Sequence, residues 1–418
     1  MELDTVATAW MLMSASLVLL MTPALAFFYG GMSRAKSVLN MMMMSFSAIA
    51  VVVVVYVLWG WSMSYGGGDI AGIFANPFDQ FGLQGTIYGE DGEFLIDGYG
   101  VPVIVGVAFQ VTFAIITVAL ISGAIADRVK FSTWLVFVAL WVTLAYFPMA
   151  HMVWGGGLLS GDGPFASIAA PIDFAGGTVV HINAGVAALV LALVVGKRKG
   201  FGSEVMRPHN LPFVMLGAAL LWFGWFGFNA GSAFTADGVA GLAWVNTTVA
   251  TGAAMLGWLL VERLRDGHAT SLGAASGVVA GLVAITPAAG SVSPVGSIAL
   301  GAIAGGLAAL AVSLKYRFGY DDSLDVVGVH LVGGLTGTVL IGFLATDSGL
   351  LYGGGFNQLT VQVIIALVAM VFSALVTYVI ALGLKVGMGW RISEADEING
   401  IDSAEHRETA YEAIGASR

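Results

Sequence analysis

Long apolar runs, each close to the roughly 20 residues that a bilayer requires, divide most of this 418-residue chain. Inside a membrane no water is available to the backbone, so each run must satisfy its own amides as a helix. The runs predict helices over Val6–Tyr29, Val38–Trp61, Val103–Ala126, Phe131–Phe147, Phe174–Val195, Leu211–Phe228, Val239–Val261, Ser271–Thr286, Ile298–Leu314, Val326–Leu344 and Leu359–Val386. We therefore predict an all-α polytopic membrane protein with eleven transmembrane helices.

The composition agrees with that prediction. Hydrophobic residues make up 58% of the chain and charged residues 10%, whereas a soluble domain is about 25% charged. The 58 glycines indicate close packing of helices, because small residues let helix backbones approach one another in a membrane. The chain has no cysteine, which excludes a disulfide framework, thiol catalysis and a thiolate metal site.

All 16 Lys and Arg residues fall on one side of the predicted topology. They lie in the connections that follow the odd-numbered spans and in the C-terminal stretch. By the positive-inside rule, a multi-pass protein of the plasma or inner membrane would then have its N-terminus outside and its C-terminus in the cytoplasm. The connection between spans two and three carries acids and no base. Those acids either concentrate cations or only reflect the exclusion of bases from translocated loops.

An odd number of spans in each half predicts an inverted 5+5 repeat. Spans one to five and six to ten would cross the membrane in opposite directions, with a site near the midplane where the halves meet. Two similar acid-to-histidine entries support the repeat, from Asp173 to His181 and from Asp325 to His330. We predict a transmembrane domain over 1–386, with span eleven extra and peripheral, and a cytoplasmic regulatory tail over 387–418.

The two histidines are the strongest functional candidates, because an ionisable residue inside a membrane helix is a functional candidate by default. The repeat would bring His181 and His330 together. Two adjacent imidazoles cannot both be charged without a large cost, so we expect them to share a hydrogen bond and stay neutral. Such a pair could be a polar contact or a proton relay in an apolar conduit. Either histidine alone could instead be a packed residue, and a metal site lacks acid or thiol ligands.

Aromatic residues gather at the predicted outer ends of the spans. Phe109 and Phe113 lie four residues apart on one face of span three. Trp154 lies at the outer end of span four, beyond Phe147, and residues 222–232 form an aromatic-rich exit from span six that includes Phe228 and Ser232. Tryptophan is ordinary at a membrane surface. Aromatic rings together with a hydroxyl, however, suit a small cation, since they attract its charge without trapping it.

Several segments together carry a family resemblance that covers nearly the whole chain in order. They are residues 28–31 (FYGG), 108–110 (AFQ), 150–157 (AHMVWGGG), 173–183 (DFAGGTVVHIN), 207–212 (RPHNLP), 225–232 (WFGFNAGS) and Asp325 with His330. With these motifs the chain resembles the ammonium transporter family of Amt, methylammonium permease and Rhesus proteins.

The resemblance implies an ammonium transporter or channel, a homotrimer with one pore in each protomer. It places Trp154, Phe113 and Ser232 around an outer recruitment site for ammonium, with Asp173 as a nearby acid that caps a helix. Phe113 and Phe228 would form the gate with Phe109 beside them, and His181 and His330 would line the pore. Ammonium would lose its proton near the gate and cross as ammonia. Whether the proton follows separately, and whether methylammonium is also carried, stay open.

The stretch 397–411 resembles the family's cytoplasmic tail, which binds a trimeric PII nitrogen-signalling protein, although Arg407 stands where that tail usually has glycine. An ammonium sensor that acts through the tail is therefore a second hypothesis. Among alternative cargoes, water and carbon dioxide are the nearest, and the protein would then be a pore for one of them. A membrane hydrolase is a poor fit, because neither Gly-x-Ser-x-Gly nor His-Glu-x-x-His lies near the histidines. We predict no enzymatic activity, cofactor, metal or nucleic-acid partner.

Overall fold

The computed structural model describes residues 2–411. Met1 and residues 412–418, the end of the predicted tail, lie outside the described residues. Within 2–411 the chain is helical, and its β-structure is limited to isolated bridges. The helices are α1 (Thr5–Met32), α2 (Val38–Tyr65), α3 (Val103–Ile125), α4 (Phe131–Trp154), α5 (Gly177–Val195), α6 (Leu211–Ala233), α7 (Gly238–Asp266), α8 (Ser271–Ile285), α9 (Pro294–Phe318), α10 (Val327–Leu344), α11 (Asn357–Gly387) and α12 (Glu394–Asn399).

Ten of these helices are long and apolar enough to cross a membrane. The 15-residue helix α8 is apolar as well and takes the place of the eighth predicted span, although at 1.5 Å per residue it is only about 22 Å long. The predicted all-α membrane architecture is confirmed.

The largest error in the predicted bounds concerns α4, which was expected to end at Phe147 and continues to Trp154. Pro148 lacks an amide hydrogen and therefore interrupts the regular bonding of a helix. A wide π-helical turn over Val142–Tyr146 lies directly before it and absorbs the mismatch. The helix therefore passes the proline and carries Trp154 on its last turn.

The helices that carry the two histidines begin differently from the other spans. Side chains such as Asp4, Asp237 and Thr270 cap α1, α7 and α8 in the usual way. In contrast, α5 begins with a π-helical turn over Gly177–Ile182 and α10 with one over Val327–Leu331. Such turns are rare in proteins, and those that occur are often found at functional sites. Each of these two turns contains one of the histidines.

Glycines bring α5 and α10 into backbone contact at the centre of the molecule. A methyl group on Gly185 would lie 2.5 Å from the Leu331 nitrogen, and one on Gly334 would lie 2.9 Å from the His181 Cβ. Both distances are too short for any side chain larger than hydrogen. The close approach sets the spacing between the two histidines, as small residues do between membrane helices.

The chain after α11 folds back onto the transmembrane helices. The Asp402 carboxylate accepts hydrogen bonds from the Leu39 and Asn40 amides, at the start of α2. The Glu405 carboxylate accepts one from the Phe131 amide, at the start of α4. These acids satisfy helix ends that no local side chain caps. Arg407 has a φ of 56°, in the left-handed region that favours glycine.

Candidate functional site

A cavity of about 510 Å³ brings together the three residues predicted to recruit the cargo, Trp154, Phe113 and Ser232. We call this cavity the vestibule. It lies beside the beginning of α3 and the end of α4. Its lining, all of it in the described part of the chain, includes two acids, Asp97 and Asp162, and no base. Acids in a confined cleft raise the local concentration of cations.

The vestibule also offers oxygen acceptors among its aromatic rings. The Ser232 hydroxyl donates to the Phe228 carbonyl at 2.8 Å, so the lone pairs of its oxygen stay available to a donor. The buried Gln110 Oε1 has no hydrogen-bond partner among residues 2–411. The sequence analysis quoted Gln110 only within a motif and missed it as a site residue. The available signal was that Gln110 is the only side-chain amide in α3.

Aromatic rings close the lower end of the vestibule. The rings of Phe113 and Phe228 stack with their centroids 4.2 Å apart at 27°. Phe109 meets Phe113 edge-on at 4.8 Å, and Trp154 meets Phe113 edge-on at 6.0 Å. Phe109, Phe113 and Phe228 are all fully buried. No hydrated ion can pass this stack unless the rings move.

The two histidines lie directly beyond the stacked rings. The Nδ1 atoms of His181 and His330 are 3.3 Å apart, which is a hydrogen-bonding distance. His181 also stacks on Trp225 at 5.5 Å and on Phe228 at 6.1 Å. Because two nitrogens can share a bond only if one donates and the other accepts, at least one Nδ1 carries no proton in this arrangement.

The space beside the histidines is small and apolar. This cavity, which we call the lumen, has a volume of about 10 Å³, roughly what one water molecule needs. Its lining consists of Met21, Leu25, Phe28, Ile116, Leu120, Val180, His181, Leu221, Trp225, Phe228, Val279 and His330. None of these residues is an acid, a lysine or an arginine. The sequence analysis named only the histidines and Phe228 for this part of the pore, because the aliphatic members come from distant helices.

Asp173 serves the start of α5 and is not among the residues that line the vestibule. Its carboxylate accepts hydrogen bonds from the Gly176, Gly177 and Thr178 amides at 2.6 to 2.8 Å and from the Thr178 hydroxyl. Its backbone carbonyl accepts the Trp154 indole N–H at 2.9 Å. One residue therefore holds both the helix that carries His181 and the tryptophan of the vestibule.

In the second half, the acid that corresponds to Asp173 is Asp322, and the pairing of Asp325 with His330 was wrong. The Asp322 carboxylate accepts from the Val326 and Val327 amides at 3.1 and 2.7 Å, and so caps α10. Asp325 instead binds the Lys315 ammonium at 2.6 Å. Burial raises the pKa of Asp322 to about 6, against the attraction of Lys315.

Asp322 lies at the opposite end of α3 from the vestibule. The amides of Ser323 and Leu324 donate to carbonyls of Ala124 and Gly123, at the end of α3, whereas the beginning of that helix lines the vestibule. The two capped helix starts therefore face opposite ends of the bundle, as an inverted repeat requires. No cluster of three or more potential metal ligands occurs within 2–411.

Comparison with known proteins identifies the family of this chain. The model of the ammonium transporter family matches residues 9–411. The chain belongs to that family. It is 56% identical to the ammonium transporter of Mycobacterium tuberculosis strain H37Rv over 98% of this chain and 91% of the relative. It is 49% identical to the ammonium transporter of Aquifex aeolicus over 98% of this chain and 94% of the relative. The family predicted from the sequence motifs is confirmed.

Solved structures of the family have the same fold. A Candida albicans Mep2 crystal structure matches with a TM-score of 0.85 at 30% identity, over 94% of this chain and 88% of Mep2. A structure described as a sensor Amt protein matches with a TM-score of 0.87 at 28% identity, over 96% and 98% of the two chains.

Proposed function

We propose that this protein carries ammonium-derived nitrogen across the membrane in two stages. Ammonium binds as a cation in the vestibule and gives up its proton to water there, before the Phe113–Phe228 stack. Ammonia then crosses the lumen past His181 and His330. The observation that carries the proposal is the contrast between a vestibule with acids and a lumen with no charged side chain.

In the vestibule, the chemistry matches a small cation that donates hydrogen bonds. The faces of Trp154 and Phe113 attract positive charge through their quadrupoles. The oxygens of Ser232 and Gln110 are available to accept N–H donors. Asp97 and Asp162 add negative potential without touching the cation. These groups replace part of the water shell that ammonium loses on entry.

In the lumen, the chemistry matches a neutral molecule. Moving a cation from water into an apolar interior costs on the order of 20 kcal/mol by the Born estimate, and less after relaxation. Aliphatic side chains and two imidazoles cannot offset a cost of that size. Ammonia both donates and accepts hydrogen bonds, so it can exchange partners with a histidine pair that offers one donor and one acceptor.

The proposal includes an orientation in the membrane. The distribution of Lys and Arg supports a vestibule outside the cell and the stretch 387–418 in the cytoplasm. By analogy with the family, the protomers would form a homotrimer, and a PII-type protein would bind at the tail. In this scheme the transport domain spans 1–386.

Sensing is the second candidate function. Two observations support it: the similarity to a solved structure described as a sensor Amt protein, and the docking of Asp402 and Glu405 on the starts of α2 and α4. A truncation after Gly387 tests this candidate, because it removes Asp402 and Glu405 and no residue that lines the vestibule or the lumen. If the tail reports occupancy, ammonium-dependent signalling is lost in the truncated chain while methylammonium uptake persists; signalling that survives the truncation refutes this role of the tail.

The first prediction tests the histidine pair directly. Replacing both His181 and His330 by alanine removes every polar group of the lumen except the Trp225 indole, so we expect selective methylammonium uptake into proteoliposomes to fall at least about 100-fold, or about 2.7 kcal/mol. His268→Ala, an exposed histidine in the connection between α7 and α8, is the matched control and should transport normally. Unchanged flux and selectivity in the double variant would refute the proposed role.

Electrical recording decides how the proton travels. The wild-type protein in a planar membrane is exposed to a step in ammonium concentration. A current that scales with the amount of protein shows that one net positive charge accompanies the transported nitrogen. No current at a density that supports measurable uptake shows that ammonia crosses alone.

A further inference from the structure

Two glutamines on α11 are buried where a peripheral membrane helix would ordinarily present apolar groups. Gln358 is 2% exposed and Gln362 is 0% exposed. They lie one turn apart, so their side chains share a face of the helix. A buried amide is costly in a membrane protein unless all its hydrogen-bonding groups find partners. The partners therefore indicate why the amides are there.

The amide of Gln362 pairs with the backbone of Ile172 in both directions. The Ile172 amide donates to Gln362 Oε1 at 2.9 Å, and Gln362 Nε2 donates to the Ile172 carbonyl at 2.8 Å. Gln362 Nε2 also donates to the Thr338 carbonyl of α10 at 3.2 Å. Gln358 Nε2 donates to the Ala170 carbonyl and to Gln362 Oε1, both at 3.1 Å. Both donors and the acceptor of the Gln362 amide are thereby used.

The segment that these glutamines hold leads directly to the vestibule. Residues 171–176 belong to no helix, so the backbone of Ile172 has no partner within regular secondary structure. Ile172 precedes Asp173, whose carbonyl accepts the Trp154 indole N–H. The order of contacts is therefore Gln362, Ile172, Asp173 and Trp154. The Thr338 contact ties the same amide to the helix that carries His330.

We infer that Gln362 is a positioning residue for the recruitment site. It sets the backbone before Asp173, and through the Asp173 carbonyl it sets the orientation of the Trp154 indole in the vestibule. Gln358 assists by holding Ala170 and by fixing which way the Gln362 amide points. This inference rests on the proposed function, because it assigns Gln362 a role in binding the cation that Trp154 contacts.

The test replaces Gln362 by methionine, which has nearly the same length and volume but no amide. Apparent affinity for methylammonium should weaken about tenfold, equivalent to about 1.4 kcal/mol, because the indole loses its fixed position. The maximal rate should change by less than about twofold, since Gln362 donates to and accepts from no residue that lines the lumen. Uptake is measured in proteoliposomes with purified full-length protein. Val363→Met, the neighbouring residue on the more exposed face of α11, is the matched control.

A double-mutant cycle with Trp154→Leu separates positioning from general loss of structure. If Gln362 acts through the indole, Gln362→Met should add less than about twofold to the effect of Trp154→Leu on apparent affinity. Additive effects, or a Gln362→Met protein with wild-type affinity, overturn the inference and leave the recruitment site in place. Trp154→Leu with wild-type affinity instead overturns the recruitment site itself, and the positioning role with it.

A second variant keeps the test decisive if Gln362→Met does not fold. Gln358→Met removes the bond to Ala170 and one of the two bonds to Gln362 Oε1. Because the Ile172 pairing survives, we expect apparent affinity to weaken in the same direction by about threefold, within the net value of one hydrogen bond. Wild-type affinity in this variant, with normal expression, counts against the inference.

Discussion

Two aspartates hold equivalent places in the two halves of the molecule, and their surroundings differ. Asp173 precedes His181 and Asp322 precedes His330 by the same eight residues, and each caps a helix that begins with a π-helical turn. The Asp173 carboxylate accepts hydrogen bonds from the amides at the α5 start and from the Thr178 hydroxyl, and among residues 2–411 no basic side chain bonds to it. Asp322 receives two amides and lies in the electrostatic range of Lys315 and Asp325.

The comparison shows that the repeat determines how the two helices begin, and that it does not determine what surrounds each aspartate. Both halves use a carboxylate to start a helix so that its histidine reaches the centre, and this symmetry places the two imidazoles in contact. The neighbours of each carboxylate are not symmetric. Asp173 supports a vestibule suited to a cation, whereas Asp322 is buried beside an ion pair at the other end of the bundle. The fold is repeated, and the chemistry at the two entrances is not.

The largest expected effect comes from removing the Asp173 cap. Asp173→Ala leaves at least three buried amides without an acceptor, at about 1–3 kcal/mol each, and frees the segment that holds Trp154. We expect methylammonium uptake per folded protein to fall more than about 100-fold. Asp347→Ala, an exposed acid after α10, should behave as wild type. Retention of most of the uptake would show that the cap is not needed for either histidine or tryptophan.

A smaller and pH-dependent effect is expected from Asp322→Asn. The pKa of Asp322 is raised to about 6 from 3.8, so the folded state holds this proton more tightly than the unfolded state. The stability contributed by the group is full below about 3.8 and is lost as pH rises through about 6, a change of about 3 kcal/mol at most. Asparagine does not titrate, so the Asp322→Asn variant does not lose this stability as the pH rises.

The measurement is the melting temperature of purified protein from pH 4 to 7. The difference between Asp322→Asn and wild type should grow in favour of the variant as the pH rises across this range. A difference that stays constant would show that Asp322 does not titrate there. Asp347→Asn serves as the control, since an exposed acid should give no such trend.

The smallest effects are expected from two reciprocal substitutions, one beside each aspartate, that replace a hydroxyl by a methyl group or a methyl group by a hydroxyl. Thr178 and Val327 occupy equivalent positions, five residues after Asp173 and Asp322. Thr178→Val removes one donor to Asp173 and should weaken apparent affinity for methylammonium about threefold to tenfold, the net value of one ordinary hydrogen bond. Val327→Thr adds a donor to Asp322 and should lower its pKa, which moves the pH trend of the melting temperature downward.

The exchange also has a clear negative result. If Thr178→Val changes neither affinity nor melting temperature, the hydroxyl does not distinguish the two caps. The asymmetry of the two entrances would then have to come from Lys315 and Asp325 alone. Measuring Val327→Thr in the same series checks that a hydroxyl fits at the second site, since valine and threonine have nearly the same shape.

The family, the membrane class and the predicted proximity of His181 to His330 could all be reached from the amino-acid order. The apolar runs are visible one by one, and the repeat follows from counting them. The correspondence of Asp322 with Asp173 was missed, although its signal is in the chain: Asp322 precedes His330 by the same eight residues that separate Asp173 from His181, whereas Asp325 precedes His330 by five. The path of the backbone, including the left-handed conformation of Asp325, then brings the Asp322 carboxylate to the helix start.

Gln110 and Gln362 were missed for a different reason. Each is the only side-chain amide in its predicted span, and an apolar run by itself does not say whether a side chain faces lipid, another helix or a cavity. Gln362 bonds to a segment 190 positions earlier in the chain, so no local sequence pattern predicts this contact.

Local chemistry along the chain thus decides where helices form, because the thickness of the hydrocarbon layer and the absence of water act on each segment independently. The pore depends on contacts between segments far apart in the chain, such as the 3.3 Å approach of two imidazoles separated by 149 positions. A hydrogen bond tolerates only a few tenths of an ångström of error. That accuracy comes from packed glycines, wide helix turns and buried amides acting together, and it exists only once the whole bundle has assembled.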